Sequence, residues 1–185
     1  MAYLLREVPK GGRAHYAQAS ALLSFAMNRE IVVAQRPSGR PRLAGAEPEL
    51  GVSLSWRDGS LLVGYSPTAN VGVDLEPDDA TLDAIQLAQD HFSSGEAEAI
   101  SNAADPRDLF LRLWVAKEAI LKATGRGVYD GLDEPDLARC IVFLRGETPF
   151  EIPASSRAPA GSAVVKRIVC GEPALFVALS RLDVV

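Results

Sequence analysis

The run Val71-Gly72-Val73-Asp74-Leu75-Glu76-Pro77 places two acids two residues apart in a stretch that otherwise reads as a buried strand. Strand side chains alternate between faces, so Asp74 and Glu76 share one face and Val73 and Leu75 the other. Two like charges side by side repel unless one is protonated, both are well solvated, or a cation sits between them. Taken alone, the alternation fits a solvated outer strand face ending at Pro77. A second set lies in Leu113 to Gly127, LWVAKEAILKATGRG, where Glu118 and Lys122 are four apart on one helix face and Trp114 is one turn before Glu118. Alone, Glu118 and Lys122 read as a surface ion pair. If their face packs over the strand of Asp74 and Glu76, three carboxylates converge with Lys117 and Lys122 close by. Oxygen-only ligands select a hard cation such as Mg²⁺, which binds few carboxylates plus waters and substrate phosphates. The chemistry indicated is a magnesium and diphosphate site.

The elements that must position these groups follow from pattern. Ala14 to Met27 (AHYAQASALLSFAM) carries Leu22, Leu23 and Met27 at helical spacing among good helix formers. Arg36 to Leu50, rich in Pro and Gly, reads as a loop that concentrates Arg36, Arg40 and Arg42. Gly51 to Trp56, Leu61 to Tyr65 and Val71 to Leu75 read as three strands of a meander, the first two joined at Asp58-Gly59, a good hairpin turn pair. Thr81 to Asn102 reads as helical with an interruption at Phe92 to Glu96 (FSSGE). The next helix starts at Asp105-Pro106 and stops at Gly125, with Leu109, Leu113, Ala116, Ile120 and Ala123 as its inward stripe. Cys140 to Leu144, Ala163 to Cys170 and Ala174 to Leu179 read as further antiparallel strands. This order predicts an α+β protein of two similar halves, 1–103 and 104–185. Each is a small antiparallel sheet packed with helices and too small to bury its sheet alone.

Composition bounds the function. The net charge of −5 offers no broad basic surface, which argues against nucleic-acid binding and makes any phosphate site local. Cys140 and Cys170 sit in apolar runs without metal-type spacing, as expected of reduced core residues in a cytosolic protein. The apolar run in MAYLLREVPK is broken by Arg6 and Glu7, and no later segment approaches the length of a membrane span. These features predict a cytoplasmic chain without a membrane partner, and a monomer.

VGVDLEP followed downstream by F-x-x-x-W-x-x-K-E-A-x-x-K-A-x-G-x-G, Phe110 through Gly127, resembles the 4′-phosphopantetheinyl transferases, of the longer pseudodimeric type used for carrier proteins. The resemblance implies transfer of 4′-phosphopantetheine from coenzyme A to a serine of an apo acyl or peptidyl carrier protein. It implies that Asp74, Glu76 and Glu118 hold Mg²⁺ against the diphosphate of coenzyme A, with Glu118 and Lys122 as the catalytic pair. Lys117 and Lys122 match positions associated with the phosphates or with anchoring of the helix. Gly39-Arg40-Pro41 resembles the family's Gly-Lys-Pro element at the nucleotide end. The clear likeness runs from Gly39 to Gly127. One departure stands out: where the family has Asn-x-Ser-His, this chain has Ser53-Leu54-Ser55-Trp56. Ser55 remains, but a tryptophan replaces the histidine that donates to a coenzyme A phosphate, and an indole N–H carries no charge. Arg57 is the candidate substitute. His15 and His91, outside every motif, read as ordinary surface or helix residues. The departure keeps a rival open, a relative that binds coenzyme A or a carrier protein without transfer; a Mg²⁺-dependent hydrolase of another diphosphate is a third.

Overall fold

The computed structural model describes residues 2–7, 14–44, 51–78, 81–125, 131–169 and 174–182. Nine strands and five α-helices among them follow the chain order β1 (Ala2–Glu7), α1 (His15–Met27), β2 (Val32–Gln35), β3 (Pro41–Ala44), β4 (Gly51–Arg57), β5 (Ser60–Ser66), β6 (Asn70–Pro77), α2 (Ala84–His91), α3 (Ser94–Ser101), α4 (Pro106–Thr124), α5 (Ile141–Gly146), β7 (Phe150–Ile152), β8 (Gly161–Ile168) and β9 (Leu175–Leu182). All strand pairings are antiparallel, giving an α+β architecture of small sheets covered by helices.

β4 and β5 close through Asp58-Gly59, where both residues have positive φ (46° and 88°), the conformation an Asp-Gly pair favours in a two-residue hairpin. β1 pairs with the other edge of β5, giving the order β1-β5-β4. The expected three-stranded meander stops there. β6 leaves this sheet and pairs with β9, in the order β6-β9-β8-β7, with Asp74 opposite Ala178 and Glu76 opposite Phe176. The strand carrying the two acids therefore lies at the edge of the sheet built from the C-terminal part of the chain. The two sheets meet through Leu62 of β5, Val73 and Leu75 of β6, and Leu175, Val177 and Leu179 of β9. Val73 and Leu75 thus face the apolar seam, as alternation from Asp74 requires.

Two other expectations are corrected. The segment read as a loop from Arg36 folds in part into β3, which pairs with β2 across a tight turn at Arg36 to Arg40; residues 45–50 lie outside the described residues. Cys140 to Leu144 is not a strand but a 3₁₀ turn leading into α5. A run of five apolar residues carries no usable period, and here Cys140 and Leu144, four apart, are buried while Val142 and Phe143 are exposed. Cys170 lies outside the described residues.

Helix boundaries follow their capping signals. Asp105 accepts the backbone N–H of Asp108, Pro106 occupies the first turn, and Gly125 ends α4 at φ 79°. Ser93 and Glu96 form a reciprocal capping box that starts α3 at the predicted interruption. The main core gathers around α4, where Leu109, Phe110, Leu113, Ala116 and Ile120 pack against Phe150, Val165, Phe176 and Ala178. A second cluster lies under α1, from Ala19 and Leu23 to Val52, Leu54, Leu61 and Val63.

Candidate active site

α4 lies against β6 at a distance that only a glycine permits. A Cβ built on Gly72 would overlap the carbonyl of Ala119 and crowd the backbone of Ala123. Ser180, opposite Gly72 on β9, donates to the Ala119 carbonyl at 2.8 Å, so the helix backbone stays hydrogen-bonded at its closest approach. Gly72, Asp74 and Glu76 share one strand face, so this contact places both acids under the helix face of Glu118 and Lys122.

On the other side, β4 meets β6 through side chains. Ser53 Oγ accepts the N–H of Val73 at 3.1 Å, and Ser55 Oγ donates to Asp74 Oδ1 at 2.8 Å. The two serines, two apart, take the place of a backbone ladder between the sheet edges. Lys122 Nζ lies 2.6 Å from the same Asp74 Oδ1 and 3.2 Å from Ser55 Oγ. Asp74 Oδ2, equally buried, has no hydrogen-bond partner. Arg57 pairs with Glu76 at 3.4 Å.

These groups line a cleft of about 530 Å³. Its lining includes Ser55, Asp74, Glu76, Glu118 and Lys122, together with Arg40, Trp56, Arg57, Tyr16 and Trp114. Burial first, then the neighbouring Asp74, pushes the Glu118 carboxyl up to about 7, and the same causes raise Glu76. The acid pair of VGVDLEP is therefore not a solvated face but part of an acidic cluster lining the cleft.

Among the described residues, no group of three or more His, Cys, Asp or Glu side chains is drawn close enough to hold a metal as it stands. Lys122 occupies one oxygen of Asp74 instead. The donor chemistry nevertheless fits a hard cation. An orphaned buried carboxylate oxygen, and two carboxyls whose charged forms are disfavoured by burial and by the neighbouring Asp74, would each gain from one. Asp74, Glu76 and Glu118 are the residues able to hold it.

Arg40 follows the tight turn in which Gly39 has φ 86°. Its guanidinium donates to the Ala123 carbonyl at 3.4 Å and lies against Gly125, leaving no room there for a Cβ. A cation at the negative end of α4 is favourable, and the contact fixes the turn to the cleft wall. Burial, with Arg36 nearby, lowers the pKa of Arg40.

Lys117 corrects the expectation that it binds the ligand. It is wholly buried on the opposite side of α4, paired with Glu96 at 2.8 Å and donating to the Pro135 carbonyl at 2.8 Å. Glu96 in turn accepts the N–H groups of Ser93 and Leu137. Lys117 therefore ties α4 to α3 and to the segment at Pro135, and the anchoring alternative is the one its contacts match.

Trp114, which its spacing places one turn before Glu118, stacks on Phe110 at 5.6 Å, as a core residue would, and also lines the cleft. One cleft neighbour escaped sequence reasoning. His15 stacks on Trp56 with ring centroids 3.8 Å apart and planes 13° from parallel, a contact between α1 and β4 that no motif announces.

Comparison with known proteins agrees with this geometry. The family model of the 4′-phosphopantetheinyl transferase superfamily matches residues 70–158, a stretch containing β6 and α4. A putative 4′-phosphopantetheinyl transferase of Synechocystis sp. is 35% identical over 103 residues, covering 53% of this chain and 41% of that protein. The 4′-phosphopantetheinyl transferase HetI of Nostoc sp. is 34% identical over 128 residues, 67% of this chain and 50% of HetI. A 4′-phosphopantetheinyl transferase of Bacillus pumilus is 28% identical over 160 residues, 76% of this chain and 67% of its own length. The chain thus spans about half the length of the two cyanobacterial relatives. Over residues 70–158 it is similar to the 4′-phosphopantetheinyl transferase superfamily.

Proposed function

We propose that the chain transfers the 4′-phosphopantetheine group of coenzyme A to a serine hydroxyl of an apo acyl or peptidyl carrier protein, releasing adenosine 3′,5′-bisphosphate. The observation that carries this reading is the one cleft lined by Asp74, Glu76 and Glu118 together with Lys122, Arg40 and Arg57. Acids and cations lining one cleft suit a magnesium-bound diphosphate.

In the reaction the serine oxygen attacks the phosphorus that carries pantetheine. The bond from that phosphorus to the bridging oxygen breaks, and the bisphosphate leaves with the electron pair. Mg²⁺ held by Asp74, Glu76 and Glu118 would offset charge on the diphosphate. Lys122, paired with Asp74, lines the cleft and supplies a cation for the leaving phosphate. Glu118, with its carboxyl pushed up to about 7, is suited to take the serine proton near neutral pH, directly or through water. Ser55 is a positioning residue that holds Asp74 through Oδ1 and leaves Oδ2 toward an incoming cation. The cytoplasm, where coenzyme A and apo carrier proteins meet, is the proposed location, with Mg²⁺ as cofactor and the chain acting as a monomer. No helix among the described residues is long and apolar enough to cross a membrane.

A rival reading, binding without transfer, is favoured by one observation: Arg57, the candidate replacement for the missing imidazole, is engaged with Glu76. Incubating the chain with coenzyme A, Mg²⁺ and several apo carrier proteins, then weighing the carriers, decides between them. A carrier heavier by one phosphopantetheine is expected. Unmodified carriers with coenzyme A still bound would establish the rival, and free hydrolysis of coenzyme A the hydrolase.

A further inference from the structure

We propose that Trp56 is the platform on which the nucleobase of the ligand stacks, braced from behind by His15. The ligand's identity rests on the transfer reading, but the platform itself rests on geometry. Val52, Leu54 and Trp56 share one face of β4, and the first two are buried under α1. Trp56 continues that stripe beyond the helix, where α1 begins at His15, and remains 51% exposed while lining the cleft. The His15 ring covers the indole at 3.8 Å and is itself tilted against Tyr16, whose hydroxyl donates to the Gly39 carbonyl at 3.4 Å. The indole is thereby fixed by contacts on one side and open to the cleft elsewhere. An uncharged, rigid aromatic surface recognises a flat base and offers little to an anion, whereas Arg40 and Arg57 in the same cleft suit phosphates. Replacing an imidazole by an indole therefore exchanges a phosphate contact for a base contact.

The test compares dissociation constants for adenosine 3′,5′-bisphosphate and for 4′-phosphopantetheine, which has no base, by calorimetry in Mg²⁺. Trp56→Ala is expected to weaken the bisphosphate by about 5- to 150-fold, from the usual worth of one base-aromatic stack, and to leave 4′-phosphopantetheine unchanged. Trp56→Phe should restore most of the affinity, and His15→Ala should lose part of it. Melting curves check that each variant is folded. Unchanged affinity in Trp56→Ala, or an equal loss for both ligands, overturns the platform and leaves the transfer reading standing. A base-selective loss in a protein that modifies no carrier supports the platform and removes transfer. A wild type that binds neither ligand overturns both.

Discussion

Glu118→Gln isolates the electrostatic state of the cleft in a measurement independent of any ligand. Burial and the adjacent Asp74 raise the Glu118 carboxyl from an ordinary 4.5 to about 7, against the pull of Lys122. Between those values the folded protein keeps a proton that the unfolded chain releases. The associated stability is fully present below pH 4.5 and is lost as pH rises through about 7. At about 1.4 kcal/mol per pKa unit the shift corresponds to roughly 3 kcal/mol. Glu118 is only partly buried, and solvent screening reduces this to about 2 kcal/mol. For a chain of this size that is about 4–8 °C in melting temperature. Glutamine has no proton to lose, so between pH 5 and pH 8 in EDTA the wild type should fall about that much further than the variant. Mg²⁺ at pH 8 should then stabilise the wild type more than Glu118→Gln, since a bound cation favours the charged carboxylate. Parallel pH profiles for the two proteins would refute the reasoning, because they would mean that neither burial nor Asp74 acts on Glu118.

Glu76→Gln should abolish most transfer at limiting Mg²⁺ while leaving the melting temperature nearly unmoved; normal transfer by this variant would remove Glu76 from the metal set. Lys117→Met leaves the Glu96 carboxylate buried without its charge partner and should cost about 3–5 kcal/mol in urea unfolding, with coenzyme A affinity unchanged. A stable variant that binds coenzyme A poorly would return Lys117 to the ligand site. Trp114→Ala removes an aromatic stacked on Phe110, and since the ring is only partly buried the loss should fall near the lower end of about 3–5 kcal/mol. Retained stability with lost binding would make Trp114 a ligand contact instead. Gly72→Ala should push α4 off β6 and lower both stability and Mg²⁺-dependent stabilisation; a variant that melts like the wild type would show that the helix tolerates a Cβ there.

What was legible in the sequence was local. α4 announces itself by an aspartate cap, a first-turn proline, a long apolar stripe and a terminal glycine, and the structure keeps each signal. The β4–β5 hairpin follows from Asp58-Gly59, whose left-handed backbone few other pairs would accept. What was hidden was distant pairing. Nothing in VGVDLEP says that its partner is β9, 108 residues on from Gly72 at Ser180, rather than the adjacent β5. The same holds for His15, which meets Trp56 only because α1 crosses the end of β4. Lys117 and Lys122 differ for a simpler reason. Five residues apart on a helix they point to different faces, so one reaches the cleft and the other is sealed behind it.

The acidic cluster balances its own charge with groups suited to bind a ligand. Lys122 lies on Asp74, Arg57 on Glu76, and Glu118 tends to keep its proton up to about pH 7. In that arrangement the cluster is nearly neutral, which is why three carboxylates can sit together at all. On the transfer reading, an incoming diphosphate competes for Lys122 and Arg57, and each cation it draws away leaves a carboxylate in need of another. A divalent cation meets that need, and its own charge strengthens the hold on the diphosphate. Cation and diphosphate should therefore bind cooperatively, each weak alone, with the coupling carried by two ion pairs that must open rather than by any movement of the backbone.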